Sequence, residues 1–102
     1  MNRQHVLIIH QVDDYDRWKL AFDDAAGIRS AAGERTYQIL RDAQAPNRVV
    51  HFSTWTSIEA AKAFFESAEL VEIRRAAGVH APEFLYLNEV ESATLRHHRT
   101  EP

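Results

Sequence analysis

The chemistry open to this chain rests on histidines, carboxylates, hydroxyls and aromatic rings, because it contains no cysteine. Thiolate nucleophiles, disulfides, iron–sulfur clusters and zinc–cysteine sites are thereby excluded. His51 and Trp55 stand four apart in Arg48-Val49-Val50-His51-Phe52-Ser53-Thr54-Trp55, a β-prone run in which alternate residues share a face. A histidine beside an indole on one sheet face can line a ligand cavity; equally, Trp55 can be core and His51 a hydrogen-bonded sheet residue. His5 and His10, five apart in an earlier strand, point to opposite faces and cannot share an ion. His51 must lie with one of them, according to a register that the sequence leaves open. No carboxylate stands within these strands, so no metal site is expected.

Tyr86 alternates with Phe84 and Asn88 in a late strand, where a partly buried hydroxyl could donate to a substrate oxygen or enolate. His80 follows Gly78 near Pro82 and reads as a loop residue able to reach a cavity mouth, with surface histidine as the alternative. Tyr15, Trp18 and Phe22 recur at helical spacing and form either a core stripe or a cavity wall. His97 and His98 fall in a polar tail and read as solvated.

The elements that must hold these residues follow from changes of period. His5 to about Val12 alternates as a strand; the spacing then changes to 3.6 near Asp13 and Asp14, either of which can cap a helix from Tyr15 to about Ala32, with Gly33 as its C-terminal cap. Thr36 to Arg41 and Arg48 to Trp55 form a hairpin across a turn holding Pro46. Thr56-Ser57-Ile58-Glu59 matches a capping box. It opens a helix with Ile58, Ala61, Phe64 and Phe65 on one side, whose register breaks near Ser67 and resumes through Leu70, Ile73, Arg74 and Ala77 to Gly78. Pro82 bars further helix, and Phe84 to Val90 makes the last strand. The expected division is a single domain over 1–91 and a polar tail over 92–102.

The order βαββαβ is the ferredoxin-like α+β arrangement, with helices on one face of a four-stranded antiparallel sheet. In the first strand Leu7 and Ile9 alternate with Val6 and Ile8, so both sheet faces look apolar. An open apolar face calls for a second subunit packed sheet to sheet, and a homodimer is expected. A formal net charge of -3 without a basic cluster gives no footprint for nucleic acid or an anionic membrane. RNA-recognition modules share this element order, but the stacking strand here lacks the required glycine and the first strand lacks the second aromatic. The apolar run Val6 to Ile9 is too short to span a bilayer, so a cytoplasmic protein is the expectation.

The opening His10-x-Val12-x-Asp14-Tyr15-x-x-Trp18-Lys19-x-x-Phe22-Asp23 resembles the dimeric α/β-barrel proteins related to antibiotic biosynthesis monooxygenases, including a small cyclase-like branch. The likeness spans about His5 to Val90. In cofactor-free members that oxidise polycyclic phenols to quinones, an Asn stands four residues before a strand-three Trp. Trp55 matches that Trp and His51 takes the Asn position, while the helical Tyr and later Arg of that type fall at Ala61 and Val71. In haem-degrading relatives the helix Trp and axial His correspond to Phe64 and Arg74, so haem is not expected. Plant polyketide cyclase relatives have an early His that His5 resembles, but their second-helix His and their Tyr fall near Leu70 and Phe64.

The resemblance implies a cofactor-independent enzyme acting on a small aromatic or polyketide-like molecule, with monooxygenase-type oxidation of a deprotonated phenol or enol as the leading reaction. His51 would be the base or oxygen-binding group and Trp55 the ring platform, with Tyr86 and His5 sharing proton transfer. His10, Trp18, Phe22, Phe64 and His80 would bind substrate, with no cofactor and no metal. A polyketide-type cyclisation without oxygen uses the same cavity, and a non-catalytic dimer that binds a metabolite or partner is the third reading. A cavity with no room for a bicyclic ligand would favour the third.

Overall fold

The computed structural model describes residues 3–96; His97, His98 and the rest of the tail lie outside the described residues. The chain runs β1 (Gln4–Val12), α1 (Tyr15–Asp24), α2 (Ala26–Ala32), β2 (Glu34–Asp42), β3 (Ala45–Trp55), α3 (Ile58–Phe65), α4 (Ala68–Ala76) and β4 (Val79–Asn88). The strands form one antiparallel sheet in the order β2-β3-β1-β4. This is the ferredoxin-like arrangement, with each helical crossover divided in two.

Local chemistry accounts for the divisions. Asp14, not Asp13, caps α1 by accepting from the Arg17 N–H at 2.9 Å. The helix expected to run unbroken to Ala32 instead breaks at Ala25, whose N–H is shared between the Ala21 and Phe22 carbonyls. Gly33, at φ 126°, ends α2 and turns the chain into β2. The cap of α3 is Ser57, which accepts from Ala60 N–H, so the capping box expected on Thr56 and Glu59 does not form. Ser67 stops one helix and caps the next: its hydroxyl donates to the Phe64 carbonyl and accepts from Leu70 N–H. The last strand begins at Val79, well before Phe84, and takes Pro82 within it. That is tolerated because β4 is an edge strand and the β1–β4 register shifts between Ile9 and Gln11.

The register decides which residues share a face. Ile8 lies opposite His51 and Phe84, Val6 opposite Ser53 and Tyr86, and His10 opposite Val49. This side is covered by helices, and Val6, Ile8 and Val49 are fully buried; each such aliphatic side chain contributes about 1.5–3 kcal/mol. Two clusters result. Val6, Ile8, Trp55, Ala61 and Phe65 pack beneath α3, and Val12, Trp18, Phe22, Val49 and Ala77 beneath α1 and α4. On the opposite side Leu7, Ile9, Leu40, Val50, Phe52, Leu85 and Leu87 form an apolar sheet surface that no helix covers among the described residues.

A Cβ on Gly33 would stand 2.5 Å from Thr56 Oγ1 in a backbone conformation that L-residues avoid, whereas one on Gly27 meets nothing within 4 Å. Gly33→Ala should therefore cost about 1–3 kcal/mol, and Gly27→Ala should add about 0.4–1 kcal/mol. Urea denaturation of the two variants checks both signs.

Candidate active site

A cavity of about 50 Å³ lies between the helix-covered sheet face and α1, α2 and α4. The sheet contributes His10 and His51, α1 contributes Trp18, Ala21 and Phe22, α2 contributes Arg29, and α3 and α4 contribute Phe65, Leu70, Ile73 and Arg74. Outside it, a groove of about 320 Å³ between α1–α2 and α4 shares Ala21, Ala25, Ile73 and Ala77 with the cavity wall. These four side chains, mostly methyl groups, stand between the outer groove and the cavity. The cavity itself holds a few waters and has no room for a bicyclic molecule.

The rings pack in tilted, stacked and edge-to-face pairs. Trp18 and His10 are 5.4 Å apart, Trp18 and Phe22 5.1 Å, and Phe22 stands perpendicular to His51 at 4.9 Å. Beneath them runs a buried ionic chain. Arg29 Nη1 donates to Glu34 Oε1, and Glu34 Oε2 binds His51 Nε2 at 2.7 Å. The Arg29 guanidinium lies 3.7 Å from the Phe22 ring centre and also donates to the Phe22 carbonyl. Glu34, Arg29 and His51 are 7%, 5% and 2% exposed, so this is a desolvated network. With its carboxylate shared between Arg29 and the His51 Nε2–H, Glu34 sets the imidazole tautomer and leaves the lone pair on Nδ1. That nitrogen can take a proton.

His10 differs from His51. Burial, then the adjacent His51, then Arg74 push its pKa down to about 3, so it is neutral at neutral pH. Its Nδ1 is buried without a partner, as is Arg29 Nε. Arg74, half-buried, donates to the Phe65 carbonyl at 3.0 Å and lies 5.0 Å from the Phe84 ring. Desolvation pulls its guanidinium below the ordinary value, with nearby Tyr86 opposing.

Of the residues expected to act together, His51, His10, Trp18 and Phe22 meet at this cavity. The others are elsewhere. Trp55 shares the helix-covered face with His51, but its ring packs in the core against Phe64 and Phe65 and its N–H donates to Ser53 Oγ at 2.8 Å. Phe64 and Tyr86 border that core; burial, then Glu66, raises the Tyr86 pKa. His5 lies on the uncovered face, stacked on Phe52 and bonded to Glu89, so the register separates it from His51. His80 is a strand residue, not a loop residue at a cavity mouth; it is exposed and bonded to Asp13 at 2.7 Å. Among the described residues, no group of three or more His, Asp or Glu is gathered to hold a metal ion, and no helix is long and apolar enough to cross a membrane.

Arg29 and Glu34 are absent from the sequence-based site. A signal for Arg29 did exist: it continues the buried spacing Trp18, Phe22, Ala25, Arg29, where a charge must have a partner. Glu34 had none, since its burial depends on the turn at Gly33.

Sequence and fold both have known counterparts. The model of the antibiotic biosynthesis monooxygenase family matches residues 5–76, and the chain belongs to that family. Solved structures agree in fold. A Bordetella bronchiseptica protein described as an antibiotic biosynthesis monooxygenase superposes with a TM-score of 0.73 at 16% identity, over 89% of this chain and 100% of its own. SnoaB, a cofactor-independent oxygenase from Streptomyces nogalater, gives 0.74 at 14% identity, over 90% and 97%. A Caulobacter crescentus protein of the same description gives 0.68 at 21% identity, over 88% and 92%. Among proteins of curated function, none matches the sequence significantly.

Two outcomes follow from the buried charges. Glu34→Gln strands Arg29 without a counter-charge and should cost about 3–5 kcal/mol in urea denaturation. His10 binds a proton near pH 6.5 when unfolded but only near 3 when folded, so unfolding takes up a proton between those values. Stability therefore rises with pH across that window and is lost on acidification through it. His10→Gln should flatten the acid limb of a stability–pH curve by up to about 1.4 kcal/mol per pH unit.

Proposed function

We propose that the protein is a homodimeric, cofactor-independent oxygenase of small aromatic or enolic molecules, with His51 as its base. The observation that carries the reading is His51 on the cavity wall, held at Nε2 by Glu34 and packed against Phe22, with Trp18 lining the same cavity. The substrate oxygen enters the cavity, and the remainder of the molecule lies toward the outer groove. His51 Nδ1 removes the hydroxyl proton. The resulting phenolate or enolate is electron-rich enough to reduce dioxygen directly, and carbon–oxygen bond formation gives a hydroperoxide. Loss of water from it leaves a quinone or diketone, so that substrate and O₂ become oxidised product and H₂O. Membership of a family that includes monooxygenases supports this reaction class. Trp18 and Phe22 take the ring-binding role expected of Trp55 and Phe64, whose rings pack in or against the core. The uncovered apolar sheet face supports the dimer.

The cavity's small volume supports a second reading, in which the dimer holds a small metabolite without turning it over. A space of about 50 Å³ admits a polar group, not a fused ring system. Polyketide-type cyclisation of the same enolate, without oxygen, would use the same base.

An oxygen electrode separates the three, with dihydroxyarenes and enolised 1,3-diketones as substrates. Oxygen uptake matched by product is expected, and His51→Ala should lower it by at least about 100-fold while leaving the fold intact. Undiminished uptake by that variant would remove His51 from the mechanism; product formed under nitrogen would establish the cyclase. Absence of turnover with every substrate, together with a retained organic mass in native mass spectrometry, would leave the binding protein.

A further inference from the structure

We infer that the cavity is an oxyanion site, whose ligand is an aromatic or enolic acid bound through its deprotonated oxygen to the Arg74 guanidinium. Four features lead there, beginning with charge. Of the charged groups on or behind the cavity wall, Arg29 and Glu34 cancel as a pair, and the Glu34 carboxylate also binds His51. His10 stays neutral through burial. Arg74 is left as the uncompensated cation: its hydrogen bond goes to a backbone carbonyl, and among the described residues it forms no ion pair. Glu66, which acts on neighbouring Tyr86, is exposed.

The second feature is a pair of unmet hydrogen-bonding atoms. His10 Nδ1 and Arg29 Nε are both buried and both lack a partner. A buried polar group without a partner is costly, and a ligand oxygen would relieve that cost. Third, the dimensions match. A carboxylate or phenolic oxygen occupies the space of one or two waters, which the cavity provides, while a flat ring must remain outside it, on the side of the groove that shares Ala21, Ala25, Ile73 and Ala77. Fourth, Arg74 is half-buried and its guanidinium partly desolvated, so its attraction for an anion is weakly screened. A planar guanidinium also suits two-point binding of a carboxylate.

The inference deepens the proposed function and rests on it only for the chemistry after binding. An enolate or phenolate formed at His51 would be stabilised by the same cation, which lowers the barrier to its formation. Arg74 is thus a substrate-binding residue, and the preferred substrates are already acidic ones.

Binding measurements test this without turnover. Calorimetric titrations of the full chain with benzoate and with its neutral isostere benzamide should show benzoate binding at least about tenfold more tightly. Absorbance titration of 4-nitrophenol should show the coloured anion on the protein at a pH where the free compound is largely neutral. Preference in the benzoate arm alone assigns a carboxylic acid, and anion capture in the nitrophenol arm alone assigns an acidic phenol or enol. Arg74→Gln should abolish both effects and Arg74→Lys should keep a reduced benzoate preference, with circular dichroism confirming the fold. Equal affinity for benzoate and benzamide with neutral nitrophenol bound, no saturable binding of any probe, or full preference in folded Arg74→Gln would each overturn the site. Oxygen uptake without anion preference would sink this inference alone; anion preference without oxygen uptake would sink the oxygenase alone.

Discussion

The buried chain Arg29–Glu34–His51 is the interaction on which the site depends. It joins α2, the first residue of β2 and the middle of β3, so that one carboxylate ties a helix to two strands and fixes how an imidazole is turned. As an isolated ion pair its net contribution would be small, because desolvating two charges offsets most of their attraction. Its value here is geometric. Arg29 is held on one side by Phe22 and on the other by Glu34, and Glu34 can reach both partners only because Gly33 turns the chain sharply between them.

From that constraint the chemistry of the two inward histidines diverges. They share a sheet face and line the same cavity, yet one has a carboxylate and the other has none. His51 is oriented and polarised, a state suited to moving protons. Burial and neighbouring positive charge instead keep His10 neutral, leaving it a hydrogen-bonding group of fixed charge. Two residues of one type thus acquire separate roles through their surroundings.

The sheet is used on both sides, with different consequences. Its helix-covered face provides the core and the cavity, while the opposite face carries a continuous apolar surface together with His5, Phe52 and Glu89. Antiparallel sheets can leave one face to water, but that face is then normally polar. The alternation of Leu7 and Ile9 with Val6 and Ile8 breaks that rule, and this is the feature on which the proposed dimer rests.

Patterns confined to a few neighbouring residues were legible in the sequence. Period-2 and period-3.6 runs place the four strands and the helical crossovers, and the likeness around His10 to Asp23 points to the family, because backbone geometry imposes those spacings locally. The helix break at Ala25, the shift of the α3 cap to Ser57 and the start of β4 at Val79 were not legible, since shared carbonyls and a bulge on an edge strand leave no residue-type signature. Which histidine joins His51 was likewise hidden: the β1–β3 register selects His10 over His5, and register is set by pairing between strands some forty residues apart. Arg29, Glu34 and Arg74 became a site only in three dimensions. Their charges matter through burial and mutual distance, and those quantities exist only once helix, turn and sheet have closed on one another.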